Sequence, residues 1–71
     1  MIKFKIDVLQ ELKNRGYNTA RIRKEGIFSE STLTKIRNNG TVTTATLDTI
    51  CKLLKKQPGY ILEYVEDINE D

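Results

Sequence analysis

The sequence predicts one small all-α domain, a compact bundle of five helices preceded by a short β-strand, and three observations support this. The chain has 71 residues, of which 38% are hydrophobic, so it can form one core but not two. Apolar residues recur at helical spacing in several short segments. Gly, Asn, Ser and Thr residues separate these segments, where helices commonly begin and end. We therefore predict a single domain over residues 1–71.

The first two elements are a strand and a helix. Residues 2–6 alternate between apolar residues and lysine, and this period of two is typical of a half-buried strand. Asp7 followed by Gln10 resembles a capping box, in which the Asp side chain accepts from the first turn of a helix. Helix 1 is therefore expected over about residues 7–15, and Gly16 supplies the left-handed residue that ends it.

Two short helices follow, separated by a tight break. Asn18 is the N-cap candidate of helix 2, which is expected to reach about Glu25 before Gly26 breaks it. Ser29 is the N-cap candidate of helix 3. That helix is expected to end in the sequence N-N-G at residues 38–40, whose last two residues suit a positive φ.

Helix 4 has the clearest amphipathic pattern in the chain. It is expected to begin after Thr43 or Thr44, and its apolar residues recur at i, i+3, i+4 and i+7: Leu47, Ile50, Cys51 and Leu54. Pro58 suits the first turn of helix 5, where a backbone N–H has no partner within the helix. Helix 5 is expected to continue through Tyr64 and to fray into an acidic tail over residues 66–71, which is a candidate for disorder.

The composition excludes several classes of function. The sequence has no His and one Cys, which excludes histidine-dependent zinc sites, catalytic triads and an internal disulfide. It contains no Gly-rich phosphate-binding motif. No apolar run reaches the roughly 20 residues that span a bilayer, and lysines interrupt the apolar start of the chain. We expect a cytoplasmic protein that is not an enzyme, with no metal, cofactor, membrane association or small-molecule ligand.

Charge is distributed unevenly along the chain. Residues 1–40 carry nine basic and four acidic residues, a balance of +5, whereas residues 41–71 carry three and six, a balance of −3. A basic half attracts polyanions such as nucleic acids, but uneven charge also arises by chance in small domains. Charge alone leaves both interpretations open.

The outward face of helix 3 is the most informative part of the sequence. It carries short polar or charged residues: Glu30, Ser31, Thr34, Lys35 and Asn38. Ser, Thr and Asn are poorer helix formers than the Glu, Lys, Gln and Arg that usually cover a solvated helix. This composition favours a contact surface over a solvated one. A major groove about 12 Å wide accepts one helix, whose N-terminal side chains can reach base edges.

Two blocks of sequence resemble the Cro/lambda-repressor-type (XRE) helix-turn-helix family. They are S-x-S-T-L-x-K-I-R at residues 29–37 and T-L-D-x-I-C-x-L-L, followed by Q-P-G-x-I-L-E-Y, within residues 46–64. Both are similar to a small bacterial and mobile-element branch of the family. The resemblance covers nearly the whole chain. It implies a lambda-repressor-like domain in which helices 2 and 3, about residues 18–39, form the helix-turn-helix.

The resemblance also implies a DNA-binding surface on this helix pair. The positions implied to contact bases are Glu30, Ser31, Thr34 and Lys35. The positions implied to contact phosphates are Asn18, Thr19, Thr32, Arg37, Asn38, Asn39 and Thr41. The implied function is a sequence-specific regulator of transcription, a repressor, that binds double-stranded DNA as a homodimer and reads the major groove with helix 3. The alternative is a protein-interaction adaptor or antitoxin-like module on the same scaffold.

The sequence departs from the family pattern at two positions. The family usually has a small residue midway along helix 2, where this chain has Arg23, and Gly at the turn, where it has Ile27 one place after Gly26. We expect either a locally rearranged turn or an Arg23 side chain that crosses the packing and carries its charge to solvent. Glu30 is also unusual at a DNA-binding surface, because phosphates repel its carboxylate. A carboxylate there is useful mainly if it accepts a hydrogen bond from the amine of a cytosine.

Overall fold

The computed structural model describes residues 1–66, so the predicted acidic tail lies outside the described residues except for Glu66. The described part of the chain contains five helices and two strands. In chain order they are β1 (Ile2–Phe4), α1 (Val8–Asn14), α2 (Thr19–Lys24), α3 (Glu30–Arg37), α4 (Thr44–Leu54), α5 (Pro58–Ile61) and β2 (Leu62–Tyr64). The longest of these helices, α4, has 11 residues, and within residues 1–66 no helix has the length and apolar character to cross a membrane.

The prediction of an all-α domain with a single strand was wrong in one respect, because β1 pairs with a second strand. β1 and β2 are antiparallel, with Ile2 opposite Tyr64 and Phe4 opposite Leu62. Helix 5, which we predicted to continue through Tyr64, ends at Ile61, and Leu62 is already extended at φ −120°. Pairing supplies partners for backbone N–H and C=O groups that an isolated strand would leave unpaired.

Side chains cap the four longer helices at the residues that the sequence predicts. Each N-cap side chain accepts a hydrogen bond from the backbone N–H three residues later. The N-cap residues of α1 to α4 are Asp7, Asn18, Ser29 and Thr43. Because the first N–H groups of a helix have no partner within it, these caps fix where each helix begins and which residues face outward.

Helices α1, α2 and α3 end in the same backbone arrangement. A left-handed residue follows each of them: Gly16, Gly26 and Asn39. After α3, the N–H of Asn39 donates to the carbonyl of Ile36 at 3.3 Å and that of Gly40 to the carbonyl of Lys35 at 2.6 Å. These two bonds form a Schellman motif. Of the two residues predicted to suit a positive φ here, Asn39 adopts it, at 59°.

Every helix contributes to one hydrophobic core. Its buried residues are Val8, Leu12, Ile22, Phe28, Leu33, Ile36, Ile50, Leu54 and Ile61. Ile27, at the turn between α2 and α3, is half-buried and packs against this core, and its N–H donates to the carbonyl of Ile22 at 3.0 Å. Val42 and Cys51 also pack against it as half-buried residues. The turn is therefore held from inside, which fixes α3 relative to α2.

Arg21 fastens the start of α2 to the preceding turn. Its guanidinium lies 4.3 Å from the centroid of the Tyr17 ring and donates to the Glu25 carboxylate at 2.8 Å and to the Gly16 carbonyl at 3.1 Å. The hydrogen bond and the negative charge of Glu25 raise the pKa of Arg21 above its ordinary value. Although it belongs to the basic half of the chain, Arg21 uses its charge within the fold.

Candidate nucleic-acid interface

The candidate interface is the outer face of α3. Leu33 and Ile36 turn inward to the core. The four residues predicted to contact bases are all exposed: Glu30, Ser31, Thr34 and Lys35. Because the inward residues are fixed by packing, the rotation of α3 about its axis is fixed as well, and this polar face points to solvent.

Hydroxyl groups form a cluster at the start of α3. The Ser29 hydroxyl accepts from the N–H of Thr32 at 3.2 Å and donates to the Thr32 hydroxyl at 3.0 Å. The Ser31 hydroxyl lies 3.2 Å from that of Ser29. Ser31 is thus oriented by a hydrogen bond to the cap but stays exposed, so its hydroxyl can meet a base edge.

The other two base-contact candidates differ in freedom. The Thr34 hydroxyl donates to the backbone carbonyl of Glu30 at 3.0 Å, which leaves its oxygen as an acceptor. Lys35 forms no ion pair with any residue that the structure describes. Its ammonium is therefore not engaged by a described carboxylate and can donate to a guanine edge.

Glu30 has a partner that sequence reasoning did not assign to it. The Arg23 guanidinium reaches from α2 across the turn, with Nε 2.5 Å from Oε2 and Nη2 3.3 Å from Oε1 of Glu30. The Arg23 side chain is half exposed and that of Glu30 two-thirds exposed. The Arg23 side chain is exposed, and its charge reaches solvent and meets Glu30 at the start of α3. The sequence signal for this ion pair was a basic residue before the turn followed by an acidic residue just after it.

The phosphate-contact candidates lie at both ends of the helix pair. Asn18, Arg37, Asn38, Asn39 and Thr41 are exposed, whereas Thr19 and Thr32 are half-buried. Two of these Asn side chains also accept hydrogen bonds within the fold. The Oδ1 atom of Asn18 accepts from the N–H of Arg21 at 2.8 Å, and that of Asn39 accepts from the N–H of Phe4 at 2.8 Å. Each keeps its side-chain NH2 group as a donor for phosphate.

Metal chemistry finds no support at this face. Within residues 1–66, no group of three or more His, Cys, Asp or Glu side chains is placed to hold a metal ion. The face carries hydroxyls, the exposed ammonium of Lys35, amide donors and one paired carboxylate.

Two short helices joined by a tight turn, the second with an exposed polar face, define a helix-turn-helix domain. The comparison with protein families assigns it further. A family model for the Cro/C1-type HTH DNA-binding domain matches residues 7–67, and the chain belongs to this family. The resemblance seen in the sequence is thereby confirmed, and the domain is a DNA-binding domain of the kind that acts in the regulation of transcription. No curated protein and no solved structure matched the chain.

Proposed function

We propose that this protein is a sequence-specific repressor that binds double-stranded DNA with α3 in the major groove. The observation that carries the proposal is the exposed polar face of α3 above a fully buried anchor, Leu33. An α-helix with its side chains is about 10–12 Å in diameter, which matches the width of the major groove, and the eight residues of α3 make about two turns. In this proposal Lys35 donates to guanine O6 or N7, and the hydroxyls of Ser31 and Thr34 contact neighbouring base edges.

The flanking residues hold the domain on the DNA backbone. The proposed phosphate contacts come from the ends of α2 and α3 and from the loop that follows: Asn18, Thr19, Thr32, Arg37, Asn38, Asn39 and Thr41. Such contacts fix position and register but carry no sequence information themselves.

A homodimer is part of the proposal, because one helix of eight residues makes too few base contacts for strong specificity. Two copies related by a two-fold axis would place their α3 helices in successive major grooves, about 34–36 Å apart. Bound at a promoter in the cytoplasm of a bacterial cell, such a dimer represses by occluding polymerase. The N-terminal strand β1, which pairs with β2, and α5 are both candidates for the dimer surface.

The test is selection of bound duplexes from a random-sequence DNA pool, followed by affinity measurements over a range of salt concentrations. We expect a palindromic motif and an affinity that falls steeply with salt. Lys35→Ala is expected to reduce the preference at one base pair per half-site by about 1–3 kcal/mol. Lys52→Ala, an exposed lysine on α4 outside the helix-turn-helix, is the matched control and should leave every preference unchanged.

Two results would count against the proposal. If Lys35→Ala weakens binding equally on every duplex, Lys35 contacts phosphate and not a base. If the protein enriches no motif and shows no salt-dependent retention on DNA, the scaffold serves the protein-interaction alternative instead.

A further inference from the structure

The ion pair between Arg23 and Glu30 joins the two helices of the helix-turn-helix at the candidate interface. Arg23 presents Nε and Nη2 to the two carboxylate oxygens of Glu30, so the contact is two-pronged. Glu30 is the first residue of α3, the end from which helices of this kind reach base edges. In the proposed complex the pair therefore lies at the end of α3 that is nearest the bases.

The ion pair between Arg23 and Glu30 contributes little to the stability of the fold. The two side chains are about 50% and 67% exposed, and exposed ion pairs contribute little to folding. Glu30 is already in a favourable place without Arg23, because a carboxylate in the first turn of a helix interacts well with its dipole. The core residues Ile22, Phe28 and Leu33 hold α2, the turn and α3 together.

The charge and the free hydrogen-bonding groups of the Arg23–Glu30 pair suit a contact with DNA. Alone, the Glu30 carboxylate would be repelled by nearby phosphates, and Arg23 cancels that charge. The guanidinium has five N–H donors, of which Glu30 uses two, so others remain for a phosphate oxygen. The carboxylate likewise keeps lone pairs, and the fork of Arg23 holds them in one orientation.

We propose, on the basis of the proposed function, that Arg23 is a specificity-determining positioning residue. It bridges a DNA phosphate and Glu30, and the carboxylate so oriented accepts a hydrogen bond from the N4 amine of a cytosine. Cytosine fits best because its major-groove edge offers a donor without an acceptor beside it. Adenine places N7, an acceptor that repels a carboxylate, next to its amine.

The experiment uses the motif selected by the wild-type protein and duplexes changed at each base pair in turn. The Glu30→Gln variant locates the base pair that Glu30 reads. We expect its preference to move from cytosine towards adenine, since Gln pairs with the N6 and N7 of adenine, with a change in relative affinity of about 5- to 150-fold.

The Arg23 variants then separate charge from orientation. Arg23→Lys keeps a cation for the phosphate but lacks the fork, so the cytosine preference at this base pair should fall about 5-fold or more while the salt slope stays the same. Arg23→Ala should relax the same preference and reduce the salt slope by about 0.9 as well. Lys24→Ala is the matched control, since Lys24 lies next to Arg23 and forms no ion pair within residues 1–66.

The outcomes are distinguishable. Loss of preference confined to the Glu30 base pair in both Arg23 variants, with Lys24→Ala unchanged there, supports the inference. A clear motif whose preferences survive in Arg23→Lys and Arg23→Ala, or fall equally at every base pair, overturns it and leaves the proposed function intact. A motif that does not respond to Glu30→Gln at any base pair also overturns it. If the wild-type protein enriches no motif, the proposed function fails and the inference fails with it.

Discussion

Asn39 connects the end of α3 to β1, and its replacement should destabilise the domain through two separable effects. Its Oδ1 accepts from the N–H of Phe4 at 2.8 Å, a bond between residues 35 positions apart in the chain. Asn39 is also left-handed, with φ at 59°, a conformation that Asn tolerates better than most residues other than Gly. The side chain thus supports the sheet while the backbone ends the helix.

The magnitudes follow from these two roles. Asn39→Gly removes the hydrogen bond but keeps an easy left-handed backbone, so the free energy of unfolding should fall by about 1 kcal/mol. Asn39→Ala removes the same bond and adds a strained backbone, for a total loss of about 2 kcal/mol. In a domain of this size the second loss corresponds to a fall in Tm of about 8–16 °C. Asn38→Ala is the matched control, because the neighbouring Asn38 has a negative φ, −101°, and should change stability by less than about 0.5 kcal/mol.

Urea denaturation followed by circular dichroism measures all three variants. Equal stability of Asn39→Gly and Asn39→Ala would refute the argument from the left-handed backbone. Stability of Asn39→Gly indistinguishable from that of the wild type would refute the argument from the Phe4 bond. The same variants, assayed on DNA well below their Tm, then test whether the Asn39 amide also contacts phosphate.

Two further predictions concern stability. Lys55 ends α4 with φ at 57°, so Lys55→Gly should stabilise the domain, by about 0.5–1 kcal/mol in urea denaturation, and a decrease would show that this backbone is not strained. Leu33 is fully buried under the polar face of α3, so Leu33→Ala should cost about 2–5 kcal/mol in the same assay, whereas Lys35→Ala should change stability by less than about 0.5 kcal/mol. Similar effects of the Leu33 and Lys35 variants would mean that α3 is not oriented as described.

The starts of α1 to α4 and the ends of α1 to α3 were predictable from the sequence because their causes are local. A capping side chain acts three residues along the chain, as Ser29 does for Thr32, and a Gly such as Gly16 ends a helix through its own backbone. The exposure of the α3 face follows in the same way, since the spacing of Leu33 and Ile36 fixes which residues point outward.

The second strand was not predictable in this way because its cause is distant. Residues 61–64 are a short run that is mainly apolar, and periodicity cannot tell whether so short a run is a strand or the end of a helix. What decides is the N-terminal strand, nearly 60 residues away, which needs a partner for its backbone groups. Leu62 therefore adopts an extended conformation immediately after α5 and pairs opposite Phe4.

The Arg23–Glu30 contact is a feature of the candidate site that could not be predicted from the sequence. In the sequence each residue is anomalous by itself, Arg23 as a large residue where two helices approach and Glu30 as an acid where phosphates are expected. Whether they meet depends on the angle between α2 and α3. The turn between them packs against the core through buried Phe28 and half-buried Ile27, and no local sequence pattern encodes that angle. Under the proposed function each anomaly explains the other, since the long side chain of Arg23 supplies the charge that would let Glu30 face DNA.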